Sequence, residues 1–159
     1  MYKRHKVYTV FLTLLTLFLC YGLNVDYSRI AENAVTVVSI SFALHITVAS
    51  SLLGSDYSRY LKKHTDPHNP TKTRLGVIVA YLQNAGIISV LTITISTLYM
   101  LVPDDFQMLS QSEFLNRHLD FLRRIISSAS CALFAINFLF LWLIFIFLIN
   151  SLTRPLEEE

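Results

Sequence analysis

Apolar residues gather into four long runs along this chain. They cover residues 7–23, 34–54, 76–102 and 127–151, and no Asp, Glu, Lys or Arg interrupts any of them. A helix of about 20 such residues crosses a hydrocarbon core of about 30 Å. Because lipid offers no hydrogen-bond partners, a spanning backbone has to bond within itself, which favours helices. We therefore predict an all-α integral membrane protein whose four transmembrane helices form one domain over residues 1–159 in a lipid bilayer.

Basic residues are distributed unevenly between the connecting segments. Nine Lys and Arg residues lie in the N-terminal segment, the 55–75 segment and the tail, whereas four lie in the other two loops. Short segments rich in Lys and Arg stay in the cytoplasm. The pattern predicts that both termini and the 55–75 segment are cytoplasmic. The first run has a basic start but no small-x-small cleavage site, so we interpret it as an uncleaved anchor.

The 103–126 segment carries the clearest helix signal outside the runs. Ser110 and Glu113 have the spacing of a capping box, in which the two side chains bond free N–H groups of the first turn. Apolar residues over 114–126 then recur at helical spacing. We predict a short amphipathic helix in this outer loop. It either lies on the lipid surface, leads into the fourth span, or covers an outer vestibule.

Small and hydroxylated residues recur at helical spacing inside the first three runs. One interpretation is packing, since such faces let helices approach closely and share hydrogen bonds. The other is a narrow wet path, in which hydroxyls replace part of an ion's hydration. His45 adds to the second, because an ionisable group at membrane depth is a functional candidate. The candidate pore-lining residues are Thr9, Thr13, Thr16, Ser41, His45, Thr47, Ser89, Thr92 and Ser96.

Other residues in the runs have a structural interpretation. Gln83 and Asn84 are predicted to bond neighbouring helices. Cys20 and Cys131 are the only cysteines, and they meet if the first and fourth spans are neighbours. Without a C-x-x-C pair they are interpreted as apolar thiols. The 138–149 segment is apolar on every face, so we expect it to contact lipid or another subunit rather than water.

The 55–75 segment is the largest predicted cytoplasmic surface. His64, Asp66 and His68 bring metal-binding side chains close in sequence, but a polar segment containing proline lacks the fixed geometry of a metal site. We interpret it as a solvated connector that docks a soluble partner. The candidate partner-binding residues are Arg59, Lys62, Lys63, Lys72 and Arg74.

Several classes of protein are disfavoured by what the sequence lacks. There is no carboxylate inside the runs, no H-E-x-x-H, no G-x-S-x-G and no phosphate-binding glycine loop. We therefore predict no enzymatic activity, no catalytic residue, no metal and no cofactor, and we expect no direct binding of nucleic acid.

Two short stretches resemble a known family. Residues 150–154 followed by acidic residues, and the passage through Gly54 and Ser55 into a basic segment, are similar to the RexB membrane proteins of lambda-type phage-exclusion systems. That family is similarly small, with four spans and a basic loop between the second and third. The resemblance implies an ion-conducting effector that depolarises the membrane when a cytosolic sensor protein signals infection. The longer 103–126 segment departs from the family.

Three functions remain open at this point. The first is a homo-oligomeric channel or pore-like effector of a bacterial inner membrane, acting in phage exclusion. Because one copy has few helices and no charge inside the runs, we expect its pore to form between protomers. The second is a non-conducting interaction subunit that binds a cytosolic partner through the 55–75 segment. The third is a phage holin.

The charge distribution predicts which side of the membrane each loop faces. In a variant with Cys20 and Cys131 replaced by Ser, a single Cys at position 64 is expected to react with impermeant thiol reagents only from the cytoplasmic side. A single Cys at position 110 is expected to react only from the outside. Labelling of both positions from the same side contradicts the four-span topology.

Overall fold

The computed structural model describes residues 2–67, 69–101 and 113–153. These residues form five helices and one two-stranded hairpin. In chain order the elements are α1 (Lys3–Gly22), α2 (Ser28–Leu53), α3 (Asp56–Lys63), β1 (Thr65–Asp66), β2 (Asn69–Thr73), α4 (Arg74–Leu101) and α5 (Glu113–Thr153). Four of them, α1, α2, α4 and α5, contain apolar stretches long enough to cross a membrane. The prediction of four long apolar helices is confirmed.

The four long helices alternate in direction and pack side by side. α2 contacts α4 and α5, α4 contacts α5, and α1 packs mainly against α5. One end of the bundle is marked by the β1–β2 hairpin, where Asp66 contacts Tyr2. The other is marked by Tyr27, which bonds to Ser96 and Ser127. We call these the hairpin end and the Tyr27 end.

Helix α5 is one continuous element rather than a short helix followed by a span. Its 41 residues extend for about 60 Å at about 1.5 Å per residue. Since Ser127 is level with Tyr27, residues 113–126 project about 20 Å past the Tyr27 end. Of the three arrangements expected for the amphipathic segment, this is the one in which it leads into the fourth span, and a short helix separate from that span is not formed over residues 113–126. No Gly or Pro occurs from Glu113 to Thr153 to end the helix. Ser110 of the expected capping box lies outside the described residues.

The segment predicted as a solvated connector is instead folded against the bundle. Ser55 has an extended backbone, with ψ of 152°, which separates α2 from α3. Helix α3 buries Leu61 in the core that α4 and α5 form near the hairpin end. Strands β1 and β2 then pair antiparallel. A single buried leucine in a polar stretch gives too little periodicity to predict this arrangement.

Helix α1 is held at its two ends. None of its residues is buried. At the hairpin end, the Tyr2 phenol donates to Asp66 Oδ2 at 2.5 Å, and the Tyr2 N–H donates to the Tyr81 hydroxyl at 2.9 Å. At the Tyr27 end, Cys20 packs against a cluster that includes Cys131, as expected for neighbouring first and fourth helices. The attachment of α1 therefore combines surface packing along α5 with these polar contacts at its ends.

Replacing Tyr2 by Phe tests the attachment at the hairpin end. The change removes the hydrogen bond to Asp66, whose side chain is buried, and is expected to lower the free energy of unfolding by about 1–3 kcal/mol. Thermal unfolding in detergent measures it. Tyr21→Phe removes the same hydroxyl from the exposed surface of α1 and is expected to have little effect. Equal losses in the two variants would refute this role for Tyr2.

Candidate functional site

Two groups of hydrogen-bonded polar side chains lie between the helices, from the Tyr27 end towards the middle, and Ser96 joins them by donating to the backbone carbonyl of Thr92. The Tyr27 hydroxyl is 2.7 Å from Ser96 Oγ. Ser89 Oγ donates to Asn137 Oδ1 at 2.7 Å, and Asn137 Nδ2 donates to Thr92 Oγ1 at 2.8 Å. All five side chains are at most 2% exposed. We call this set the hydroxyl–amide cluster.

Helical spacing explains how α4 contributes three members of this cluster. Ser89, Thr92 and Ser96 follow one another at three and four residues, so they lie on one face of α4. Asn137 faces them from α5, and its amide also donates to the carbonyl of Leu133 at 2.9 Å. Both ends of the amide are thus bonded. Each such bond between membrane helices contributes about 0.6 kcal/mol on average, so the cluster fixes the register of α4 against α5.

A second polar set lies at the hairpin end. His5 Nδ1 and the Tyr81 hydroxyl share a hydrogen bond of 2.6 Å, and the same hydroxyl accepts the N–H of Tyr2. The Tyr2 phenol continues the chain to Asp66. Burial raises the pKa of the Tyr2 phenol, and its hydrogen bond to Asp66 adds to the increase. Tyr2 therefore stays protonated and donating at neutral pH. We call Tyr2, His5, Asp66 and Tyr81 the phenol–imidazole cluster.

His45 lies on α2 in the interval between the two clusters. Phe42 packs directly over Gly86 of α4. His45 comes three residues later, about 4.5 Å closer to the hairpin end at about 1.5 Å per residue. By the same rise, Ser89 lies about 4.5 Å from Gly86 towards the Tyr27 end and Tyr81 about 7.5 Å towards the hairpin end. His45 is thus between the levels of Ser89 and Tyr81.

The imidazole of His45 is 3% exposed. Neither Nδ1 nor Nε2 has a hydrogen-bond partner among the described residues. A buried polar group without a partner costs about 1–3 kcal/mol. Ser41, one turn earlier on α2, is also buried. Unlike the two clusters, this middle position holds a polar side chain at a cost in stability.

An open polar cleft lies directly above the hydroxyl–amide cluster. Its volume is about 260 Å³. Ser127 lines it and also accepts the backbone N–H of Tyr27 at 2.7 Å, and Arg123 Nη2 is 3.7 Å from Asp26 Oδ2. The lining residues are Asn24, Val25, Asp26, Asp120, Arg123, Arg124 and Ser127. They come from two distant parts of the chain, so no local motif indicates the cleft.

The structure brings five of the nine predicted pore-lining residues into the interior of the protomer. These are Ser41, His45, Ser89, Thr92 and Ser96. Thr9 and Thr13 are half-buried on α1, and each hydroxyl donates to a carbonyl one turn earlier. Thr16 is also half-buried. Thr47 is exposed and bonds its own helix at Ala43. The α1 stripe and Thr47 therefore lie apart from the buried set.

The predicted site residues do not include the tyrosines or His5. Tyr81 shares the helical face of the α4 residues of the hydroxyl–amide cluster by its spacing. Tyr2, Tyr27 and Tyr81 join the buried hydrogen-bonded sets. Tyr2 and Tyr27 lie near helix ends, where aromatic residues ordinarily mark the membrane interface, so their sequence positions did not indicate a buried role.

The predicted partner-binding residues divide into two groups. Arg59, Lys62 and Lys63 are exposed on α3, as is Lys72 on β2. Arg59 pairs with Asp56 at 3.7 Å, with both side chains largely in solvent, so the pair adds little stability. Arg74 differs, because it is half-buried and its Nε is shielded from solvent. The first four form an exposed basic surface at the hairpin end.

Ser89 and Ser128 offer a matched test of the hydroxyl–amide cluster, since both are buried serines. Ser89 bonds across helices to Asn137, whereas Ser128 donates to Arg124 of its own helix. Ser89→Ala leaves the amide oxygen of Asn137 without this donor and is expected to cost about 1–3 kcal/mol. Ser128→Ala is expected to cost less. Thermal unfolding in detergent compares them, and an equal or larger loss for Ser128→Ala contradicts the assignment.

Comparison with models of protein families finds no match to this chain. Curated proteins and solved structures likewise give none. Fold alone does not determine function, so the functional argument rests on the polar groups inside the bundle.

Proposed function

We propose that this protein is a small membrane channel or pore-like effector, and that ions cross along the polar side chains inside each protomer. The observation that supports this most is the inward placement of the polar residues. Two bonded clusters and His45 follow one another between helices that are otherwise apolar. Hydroxyl, amide and imidazole groups can hold water and replace part of the hydration of an ion.

Insertion into a membrane is supported by the outer surface of the bundle. Large apolar side chains cover it, among them Phe11 and Phe18 of α1 and Trp142 of α5, and Phe18 is 77% exposed. A water-soluble protein rarely leaves contiguous apolar surface of this kind uncovered. In a bilayer the same side chains contact lipid.

The hairpin end is the proposed cytoplasmic end. Tyr2 binds Asp66 there, so the basic N-terminal residues 3–6 lie at the same end as Lys62, Lys63 and Lys72. This places two groups of basic residues together on one side of the bundle, as the positive-inside rule favours. It is the same orientation that the sequence predicts, in a bacterial inner membrane.

A path inside the protomer replaces the expected pore between protomers. The support for this is that Ser89, Thr92 and Ser96 are buried and bonded within one chain. In the arrangement seen here the polar groups bond one another and the path is closed. We propose that a shift of α4 against α5 exchanges these bonds for water and opens it. The role in phage exclusion rests on the resemblance to the RexB family.

Association of copies has a separate role in this proposal. Gln83 and Asn84 are exposed on α4, in the apolar part of the helix. An amide facing lipid lacks hydrogen-bond partners, and polar side chains on membrane helices favour contact with another helix. We propose that these two residues hold a second copy of the chain.

The exposed basic surface supports a second function. Arg59, Lys62, Lys63 and Lys72 present positive charge at the proposed cytoplasmic side, where a cytosolic sensor protein with an acidic face can dock. If the chain does not conduct, it acts as an interaction subunit through this surface. If it conducts, the same surface receives the trigger.

Ion flux through the purified full-length protein in liposomes tests the first function. Wild-type protein is expected to dissipate an imposed gradient of potassium or of protons. Thr92→Val keeps the side-chain volume but removes the hydroxyl that accepts from Asn137, and it is expected to lower the flux. Thr94→Val on the same helix removes an exposed hydroxyl that bonds only to Val90, and it is expected to leave the flux unchanged.

Two results would count against a channel. Wild-type liposomes that hold both a potassium gradient and a proton gradient, at either polarity of membrane potential, rule out conduction by the protein alone. Equal flux through the Thr92→Val and Thr94→Val variants shows that ions do not pass the hydroxyl–amide cluster. In the first case, binding of cytosolic proteins to wild type and to a Lys62→Glu, Lys63→Glu variant tests the interaction subunit.

A further inference from the structure

His45 is the one ionisable side chain in the middle of the buried polar path. The long runs contain no Asp, Glu, Lys or Arg. The other members of the path at this depth are Ser41 on α2, Ser89 on α4 and Asn137 on α5, and none of them ionises. Tyr81 of α4 and His5 of α1 are the nearest titratable groups towards the hairpin end, and they bond each other.

The two ring nitrogens of His45 are free of protein partners within the described part of the chain. A histidine kept for structure ordinarily fixes its ring through a hydrogen bond from at least one nitrogen. A buried imidazole with both nitrogens unbonded can take up a proton on one and release a proton from the other. Ionisable groups at membrane depth commonly serve as proton relays.

The dimensions of the path favour a proton over larger ions. The hydroxyl–amide cluster is almost completely buried, and its three bonded pairs of side chains are 2.7–2.8 Å apart. A metal cation that sheds its water needs several oxygen ligands around it. A proton needs only a file of hydrogen-bonding groups and water. Replacing a few of these contacts by water therefore admits a proton before it admits a hydrated metal cation.

We propose that the ion conducted by this protein is the proton, and that His45 relays it between the two polar clusters. Water on the Ser89 side gives a proton to one ring nitrogen, and the other nitrogen gives its proton to water on the Tyr81 side. The ring is then neutral again with its proton on the other nitrogen, and a ring flip or a tautomer change restores the starting state, so that one proton moves in each cycle. The inference rests on the proposed channel function and identifies its permeant ion.

Both ends of the path carry groups suited to proton exchange with water. At the Tyr27 end, the cleft holds the carboxylates of Asp26 and Asp120. At the hairpin end, Tyr81 bonds to His5, which is half-buried and so reaches the surface. His45 bridges the interval in which no fixed hydrogen bond joins the two clusters among the described residues.

Proton flux into liposomes that contain a trapped pH dye tests the inference. The full-length protein is reconstituted, and potassium with valinomycin sets the membrane potential. Wild type is expected to acidify the lumen, and D2O is expected to slow that flux. His45→Leu and His45→Gln are both expected to abolish most of it. The Gln variant retains a polar side chain of similar size, so it distinguishes the loss of proton relay from the loss of packing. Phe145→Leu changes an exposed residue of α5 and serves as the control with unchanged flux.

The outcomes distinguish a failure of the proton-relay inference from a failure of the proposed channel function. Potassium flux without proton flux in wild type overturns the proton assignment and leaves the channel standing. No flux of either ion overturns both. Proton flux that persists in His45→Gln at the wild-type rate overturns the relay role of His45. Loss of proton flux in both His45 variants, with Phe145→Leu unaffected, supports it.

Discussion

The side-chain amide of Asn137 is the constraint on which the arrangement of this bundle depends. In an apolar environment an unbonded amide is costly, so α5 has to place it where both its oxygen and its nitrogen find partners. Ser89 and Thr92 provide them from α4. This fixes α4 against α5, and α2 then closes over them through Tyr27 and Ser96. Apolar contacts tolerate many registers, whereas these bonds specify one.

Much of this architecture could be predicted from the sequence. The runs over 34–54 and 76–102 are long and free of charge, and a membrane-spanning backbone has few alternatives to a helix. The helices begin earlier than the runs, at Ser28 and Arg74, because polar residues are compatible with helix outside the apolar core. The continuity of α5 corresponds to one of the three arrangements expected for the 103–126 segment. The capping pattern there favoured a separate short helix, whereas no Gly or Pro from Glu113 to Thr153 ends the helix.

The site could be predicted only in part. Periodicity placed Ser89, Thr92 and Ser96 on one face, and the structure confirms that they share one. Periodicity does not say whether such a face looks towards a neighbouring helix or towards another copy. That depends on pairs distant in sequence, such as Tyr2 with Asp66 and Ser127 with Tyr27. The position of α3 and the hairpin could not be predicted for the same reason. It depends on the packing of Leu61 against α4, which no local pattern indicates.

The pairing of α1 with α5 has a consequence for how the chain assembles. The ribosome makes α1 before α2 and α4, and its main packing partner α5 after them. While α2 and α4 are made, α1 therefore lacks the helix against which it finally packs. None of its side chains is buried even in the finished bundle, so the wait leaves no part of a core unformed. Of these four helices, the earliest made is then the last to dock.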